Sequence, residues 1–190
     1  MKKQLIIVGI ILLVVWISGC TTTNDINVDE NSVISIIGLE AEIHNLINNE
    51  RQSLGLAPLE YDTMLAQIAR AHSVDMASKN FFSHINPEGK GPTERAKGAG
   101  YNCYKNFGTY FTDDIAENIF KNNLYNSVYY YNGVPVYDWN SQSKIASSTV
   151  AGWMNSSGHR ENILRSTYNK EGIGVALSSD YAVYITQDFW

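Results

Sequence analysis

Four histidines stand in the chain: His44, His72, His84 and His159. Two of them lie where regular structure breaks. His84 follows the aromatic pair Phe81 and Phe82 in "FFSHINPEGKGP" and precedes a loop carrying Pro87, Gly89, Gly91 and Pro92. Loops held by a rigid scaffold are where functional side chains concentrate. His159 sits in "SSGHRENIL", where Ser156 or Ser157 can N-cap a short helix. In the first turn of that helix His159 shares a face with Ile163, four residues on, so the imidazole turns inward beside a cleft. The positive end of a helix disfavours imidazolium, which leaves a neutral ring able to accept a proton or bind a metal. Arg160 and Glu161 project from other faces and read as surface or ion-pair residues, and Asn162 carries no assigned chemistry.

Among the acids, Glu117 stands out in "IAENIF", a carboxylate inside an otherwise apolar segment. Burial there requires a partner, and either a structural ion pair or a place on a cleft wall would supply one. His72 lies in an apolar helical stripe and reads as a hydrogen-bonded core histidine; His44, on an earlier helix, receives no role. Cys103, in "YNCYKN", has no neighbouring His or acid and reads as a plain loop or strand cysteine. Ser83 adjoins His84, but adjacent side chains of an extended segment point apart, which disfavours a serine–histidine pair.

These residues need elements to hold them. Ile36, Leu39, Ile43, Leu46, Ile47 and Glu50 fall on one helical stripe that ends before Gly55. "YDTMLAQIARAHSVDMASKN" is a second helix, capped by Asp62 or Thr63, with Leu65, Ile68, Ala69, His72 and Met76 at helical spacing. "TERAKGAG" reads as a short helix closed by glycine, and "DDIAENIF" as a short strand or edge segment. "VYYYNGVPVYDW" places β-rich arms around Asn132-Gly133, a strong hairpin signal, with Pro135 on an edge strand. The hairpin belongs to an insertion spanning about 121–146, rich in tyrosines that either bind something or cover the core. A further helix starts near Lys144, and two strands joined by a tight turn near Ser179 and Asp180 close the chain. Helices and strands that do not strictly alternate point to an α+β layered fold.

The N-terminal part has a different character. Lys2 and Lys3 precede the apolar run "LIIVGIILLVVWI", short for a helix that must cross about 30 Å of hydrocarbon with ~20 residues. Residues 1–19 therefore read as a signal peptide. "ISGC" resembles a lipobox, which makes Cys20 the lipidated residue; an uncleaved membrane anchor is the other reading. Residues 20–33 form a polar tether and 34–190 the folded domain. Without the first two lysines, 12 basic residues face 19 acidic ones, and no basic stripe appears, which excludes nucleic acid as a main partner. The expected setting is extracytoplasmic, at the cell surface, held to the membrane by lipid or signal anchor.

"FFSHINP", "IAENIF", "WMNSSGHRENIL", "GIGVAL" and "YITQDFW" occur in this order. Together they resemble the microbial, SCP-like extracellular branch of the CAP family (cysteine-rich secretory proteins, antigen 5, pathogenesis-related 1). The resemblance covers about Leu39 to Trp190 and implies a three-layer α–β–α sandwich with a small, largely antiparallel sheet and a surface cleft. Animal and plant members carry two His and two Glu in that cleft. The first His matches His84, and the first Glu matches Glu117, with Ala116 in place of the family's Gly. Ser156 stands at the second Glu position, three residues after Trp153, and Tyr184 at the second His position before Thr186-Gln187. His159 is a feature of the microbial branch.

The resemblance implies a surface module binding a small apolar ligand, a lipid or a surface protein. A second expectation treats His84, His159 and Glu117 as a His₂-carboxylate set, which suits Zn²⁺ with an open fourth position and would permit metal-dependent hydrolysis. A third treats the same residues as a purely structural polar network.

Overall fold

The computed structural model describes residues 26–27 and 33–190. The expected signal peptide at 1–19, the expected lipidation site Cys20 and most of the tether lie outside them. In chain order the elements are β1 (Ile26–Asn27), β2 (Val33–Ile34), α1 (Ile36–Ser53), β3 (Glu60–Tyr61), α2 (Thr63–Lys79) and α3 (Pro92–Gly98). Then come β4 (Lys105–Asn106), β5 (Phe111–Thr112), β6 (Ala116–Asn123), β7 (Tyr125–Tyr131), β8 (Val134–Trp139), α4 (Gln142–Asn155), α5 (Ser157–Leu164), β9 (Lys170–Leu177) and β10 (Ala182–Phe189).

The central sheet has the order β3-β9-β10-β6. β9, β10 and β6 are antiparallel, and only the two-residue β3 runs parallel to its neighbour. Alternation of side chains along each strand gives the sheet two faces. On one, Ile173, Val175, Val183, Ile185 and Phe189 share a core with Leu39, Ile43 and Ile47 of α1, with Ile145 and Trp153 of α4, and with Ile163 of α5. On the other lies α2, whose Ser73 hydroxyl donates to the Gly174 carbonyl at 2.8 Å and pairs with the Thr186 hydroxyl at 2.8 Å. Helices on both faces of a small, largely antiparallel sheet make the three-layer sandwich that the motifs implied.

α2 lies unusually close to β9 because that strand carries glycine where the helix crosses. A Cβ on Gly172 would stand 2.1 Å from the Ala66 nitrogen, and one on Gly174 would stand 1.9 Å from the Arg70 nitrogen. At its start, Asp62 caps α2 by accepting from the Met64 and Leu65 amides. α1 buries its apolar stripe as expected, but Glu40 and Arg51 are buried with it while Glu50 is only half-buried. The buried charges are matched: Glu40 pairs with Arg70, and Arg51 donates to the carbonyls of Ala57, Ile163 and Arg165.

Asn132 and Gly133 both adopt positive φ, 50° and 80°, and turn the β7–β8 hairpin as the Asn-Gly pair requires. Its tyrosines divide into two groups. Tyr125 and Tyr137 pack with Trp139 and Tyr181 at ring separations of 4.8–6.4 Å, whereas Tyr129, Tyr130 and Tyr131 are exposed. Cys103 is buried and has no disulfide partner among the described residues, and burial pushes its thiol up.

Candidate functional site

β6 is an edge strand, and its first two residues after Ala116 build the site. The Glu117 side chain is nearly wholly buried on the α2 side of the sheet. Its Oε1 accepts from His84 Nδ1 at 2.7 Å, and its Oε2 accepts from the Arg95 guanidinium. The same guanidinium donates to the carbonyls of His84 at 2.7 Å and Lys90 at 3.1 Å. Arg95, on α3, thus fastens both the carboxylate and the loop that carries the histidine. Charge-assisted contacts of this kind are the stronger class of hydrogen bond.

The contact at Nδ1 orients the His84 ring, and in the neutral ring it leaves Nε2 as an acceptor. The His84 side chain is 47% exposed, on a loop whose Phe82 and Ile85 are exposed as well.

Asn118 points to the opposite face. Its Nδ2 donates to the His159 carbonyl at 3.1 Å and to Gln187 Oε1 at 3.1 Å, and its Oδ1 accepts from Asn162 Nδ2 at 3.0 Å. Gln187 passes the chain on to Glu171 at 2.6 Å, and Glu171 to His44 Nδ1 at 2.6 Å. α5 is therefore hung on β6 by its backbone and by Asn162, and His159 is half-buried there. His159 has its pKa lowered, first by burial and then by the charge of His84. The direction is the one expected at a helix start.

Behind Glu117 lies Asp188, its register partner on β10. Asp188 is wholly buried, and neither carboxyl oxygen has a hydrogen-bond partner among the described residues. Burial first, and the charge of Glu117 second, push this carboxyl well above the usual carboxylate range. A protonated Asp188 keeps a second negative charge out of the Glu117–Arg95 pair.

His84 and Glu117 are in contact, and His159 is tied through its backbone to Asn118, the next residue of the same edge strand. Ser156 is the N-cap of α5, but its side chain makes no capping bond. Tyr184 is buried with Met76 and Ile119, beneath Phe82 at a ring separation of 6.5 Å. Arg160 is exposed, and Glu161 pairs with Arg165 on the surface. The residues that sequence reasoning passed over are Arg95, Asn118, Asn162 and Asp188.

The three residues named as a zinc set do not act as equals. Glu117 holds Arg95 with one oxygen and His84 with the other, so it is not available to a metal while those contacts stand. Among the described residues no group of three His, Cys, Asp or Glu side chains is gathered as a ligand set. The two imidazoles remain as donors.

The model of the family described as "CAP: Cysteine-rich secretory protein family" matches residues 44–189. The protein YkwD of Bacillus subtilis (strain 168), described as uncharacterized, is 33% identical over 153 residues, 80% of this chain and 48% of its own length. The membrane protein YlbC of the same organism, also described as uncharacterized, is 32% identical over 150 residues, 79% of this chain and 34% of its own. This chain thus spans about half or less of the curated relatives it matches. Among solved structures, an extracellular protein containing a SCP domain from Bacillus anthracis str. Ames superposes with a TM-score of 0.56 at 26% identity, covering 80% of this chain and 40% of that one. An outer surface protein from Borrelia burgdorferi has the same fold, with a TM-score of 0.60 at 16% identity over 82% of this chain and 94% of that one.

Proposed function

This chain belongs to the cysteine-rich secretory protein (CAP) family, and on that premise we propose that it is an extracytoplasmic binding module whose site is the cleft of His84, Glu117 and His159. One observation carries the reading. Glu117 holds His84 by Nδ1 and leaves Nε2 of the neutral ring as an acceptor on an exposed loop that also carries Phe82 at 48% and Ile85 at 52% exposure. A ligand with a polar head and an apolar body meets both halves of that rim, with the head on the imidazoles and the body on the two apolar side chains. Small-molecule sites commonly join a few placed polar groups to apolar walls in this way.

The test is to purify the protein, extract it with organic solvent and identify the retained small molecules by mass spectrometry. Wild type should carry a ligand that His84→Ala loses, while the variant still unfolds cooperatively. Equal recovery from both proteins would overturn the reading.

Zinc binding is a second reading, favoured by the neighbouring imidazoles. Glu117 would then orient His84 from behind, as carboxylates orient metal-bound histidines. Elemental analysis of wild type, His84→Ala and His159→Ala decides it: zinc at one per chain, lost in both variants, supports it, and no zinc in wild type removes it.

The extracytoplasmic setting is supported by the signal-type apolar run and by the likeness to the extracellular protein from Bacillus anthracis. For the lipid anchor at Cys20, Cys20→Ser should release the protein or leave its precursor unprocessed; unchanged attachment and processing would count against it.

A further inference from the structure

We propose that the tip of the β7–β8 hairpin is a membrane-docking element, which seats its tyrosines in the headgroup region of the bilayer that holds the N-terminus. Val128, Tyr129, Tyr130, Tyr131 and Val134 are all exposed there, Tyr130 at 71%. The register pairs Tyr129 with Val136 and Tyr131 with Val134 on one face, and Val128 with Tyr137 and Tyr130 with Pro135 on the other. Both faces of the tip are therefore apolar, whereas a ribbon with one covered face alternates apolar with polar side chains. Residues 122–137 carry no charged side chain.

The shape of the tip selects the occupant. A second protein laid against a two-stranded ribbon covers one face and leaves the other in water. A layer of lipid surrounds the ribbon and covers both. Tyrosine suits that layer, because its ring is apolar and its hydroxyl is polar, and it is enriched where membrane meets water. The ribbon stands apart from the central sheet, so the outer backbone edges of β7 and β8 have no strand partner. Those N–H and C=O groups need water or headgroups, which confines the tip to the interface and keeps it out of the hydrocarbon.

The second argument is reach, and it rests on the membrane-held setting proposed above. The Ser35 amide donates to Gln142 Oε1 at 3.3 Å, and Gln142 opens α4 just after the hairpin. Leu124, at the foot of β7, shares a core with Ile34. The domain thus receives its N-terminal segment at the foot of the hairpin. β1 pairs with β2, Ile26 opposite Ile34. Cys20 is six residues before Ile26, a span of at most about 20 Å. The seven residues of β7 carry the tip about 20 Å from its foot. The two lengths match, so a chain held at Cys20 keeps the tip within reach of the bilayer. Tyr125, Tyr137 and Trp139 pack on Tyr181 and fix the foot to the domain.

The test reconstitutes the full chain in phosphatidylcholine vesicles, confirms binding by flotation, and reads the tryptophan emission of Tyr130→Trp after subtracting that of wild type. The added emission should be quenched by lipids brominated near the headgroup, and less by lipids brominated at the chain ends. Val134→Asp in the Tyr130→Trp background puts a charge on the other face of the tip and should return quenching to the wild-type level. Both positions are exposed, so the fold tolerates the changes. A chain that floats with its Tyr130→Trp emission unquenched overturns the proposal and leaves the anchor standing; a blue shift without quenching has the same force, since protein then covers the tip. Equal quenching with and without Val134→Asp overturns it as well. A chain that does not float overturns docking and anchor together.

Discussion

Glu117 and Asn118, neighbours on the edge strand β6, point to opposite faces of the sheet, and each holds one wall of the cleft. Glu117 fixes the loop histidine His84, and Asn118 fixes the backbone of His159. The geometry of the imidazole pair is thus set by one dipeptide, through the alternation of side chains along a strand.

Asn118 is wholly buried and makes three hydrogen bonds, to His159, Gln187 and Asn162. Asn118→Ala should destabilise the protein by about 2–4 kcal/mol, because several buried polar groups lose their partners at once. Urea unfolding measures the loss, and hydrogen exchange should show α5 unprotected before the rest of the domain.

Arg95→Met would leave the Glu117 carboxylate buried with only His84 for company. Breaking a buried ion pair from one side costs about 3–5 kcal/mol. Replacing the charge as well, in Arg95→Met with Glu117→Gln, should recover at least about 2 kcal/mol of that loss. A double-mutant cycle by urea unfolding reads the coupling, and additive losses would show that the pair does not act as one unit.

Gly174→Ala drives a Cβ into the Arg70 amide of α2, a backbone contact that cannot yield by rotamer change. The expected loss is about 3 kcal/mol by thermal or urea unfolding. Gly158→Ala, with nothing within 4 Å of the new methyl, should instead lie within about 1 kcal/mol of wild type, on the stabilising side, since α5 gains a better helix former.

His72 has its pKa lowered by burial. The unfolded chain therefore takes up a proton before the folded one does. Stability from this group is complete above the unfolded value, about 6.5, and is lost as pH falls toward the lower folded value. The loss approaches about 1.4 kcal/mol per pH unit within that window. His72→Gln should flatten the slope of unfolding free energy below about pH 6.5; an unchanged slope would place the titration elsewhere, with His159 the next group to test because its shift has the same sign.

Much of this was legible in the sequence where a residue breaks a local pattern. Glu117 is a carboxylate in an apolar strand and His84 a histidine before a Pro/Gly loop, and the two are hydrogen-bonded to each other. α1, α2 and the Asn-Gly hairpin follow from periodicity and turn chemistry. Arg95 gave no such signal, because an arginine on a short polar helix looks like solvent-facing charge and its partner is 22 residues away. Asn118 and Asp188 were hidden differently. Each sits beside a more conspicuous residue, and its role depends on strand register, which a single sequence does not reveal. The burial of Glu40 and Arg51 in the α1 stripe depends likewise on carbonyls and an arginine supplied by other elements.

The glycines under α2 have a wider effect. The helix rests flush on β9 and β10, while the same face of β6 is met by α3 and the loop that carries His84. Any bulk added at Gly172 or Gly174 would lift α2, and with it His72, whose Nε2 is hydrogen-bonded to the Ser83 carbonyl in the loop that carries His84.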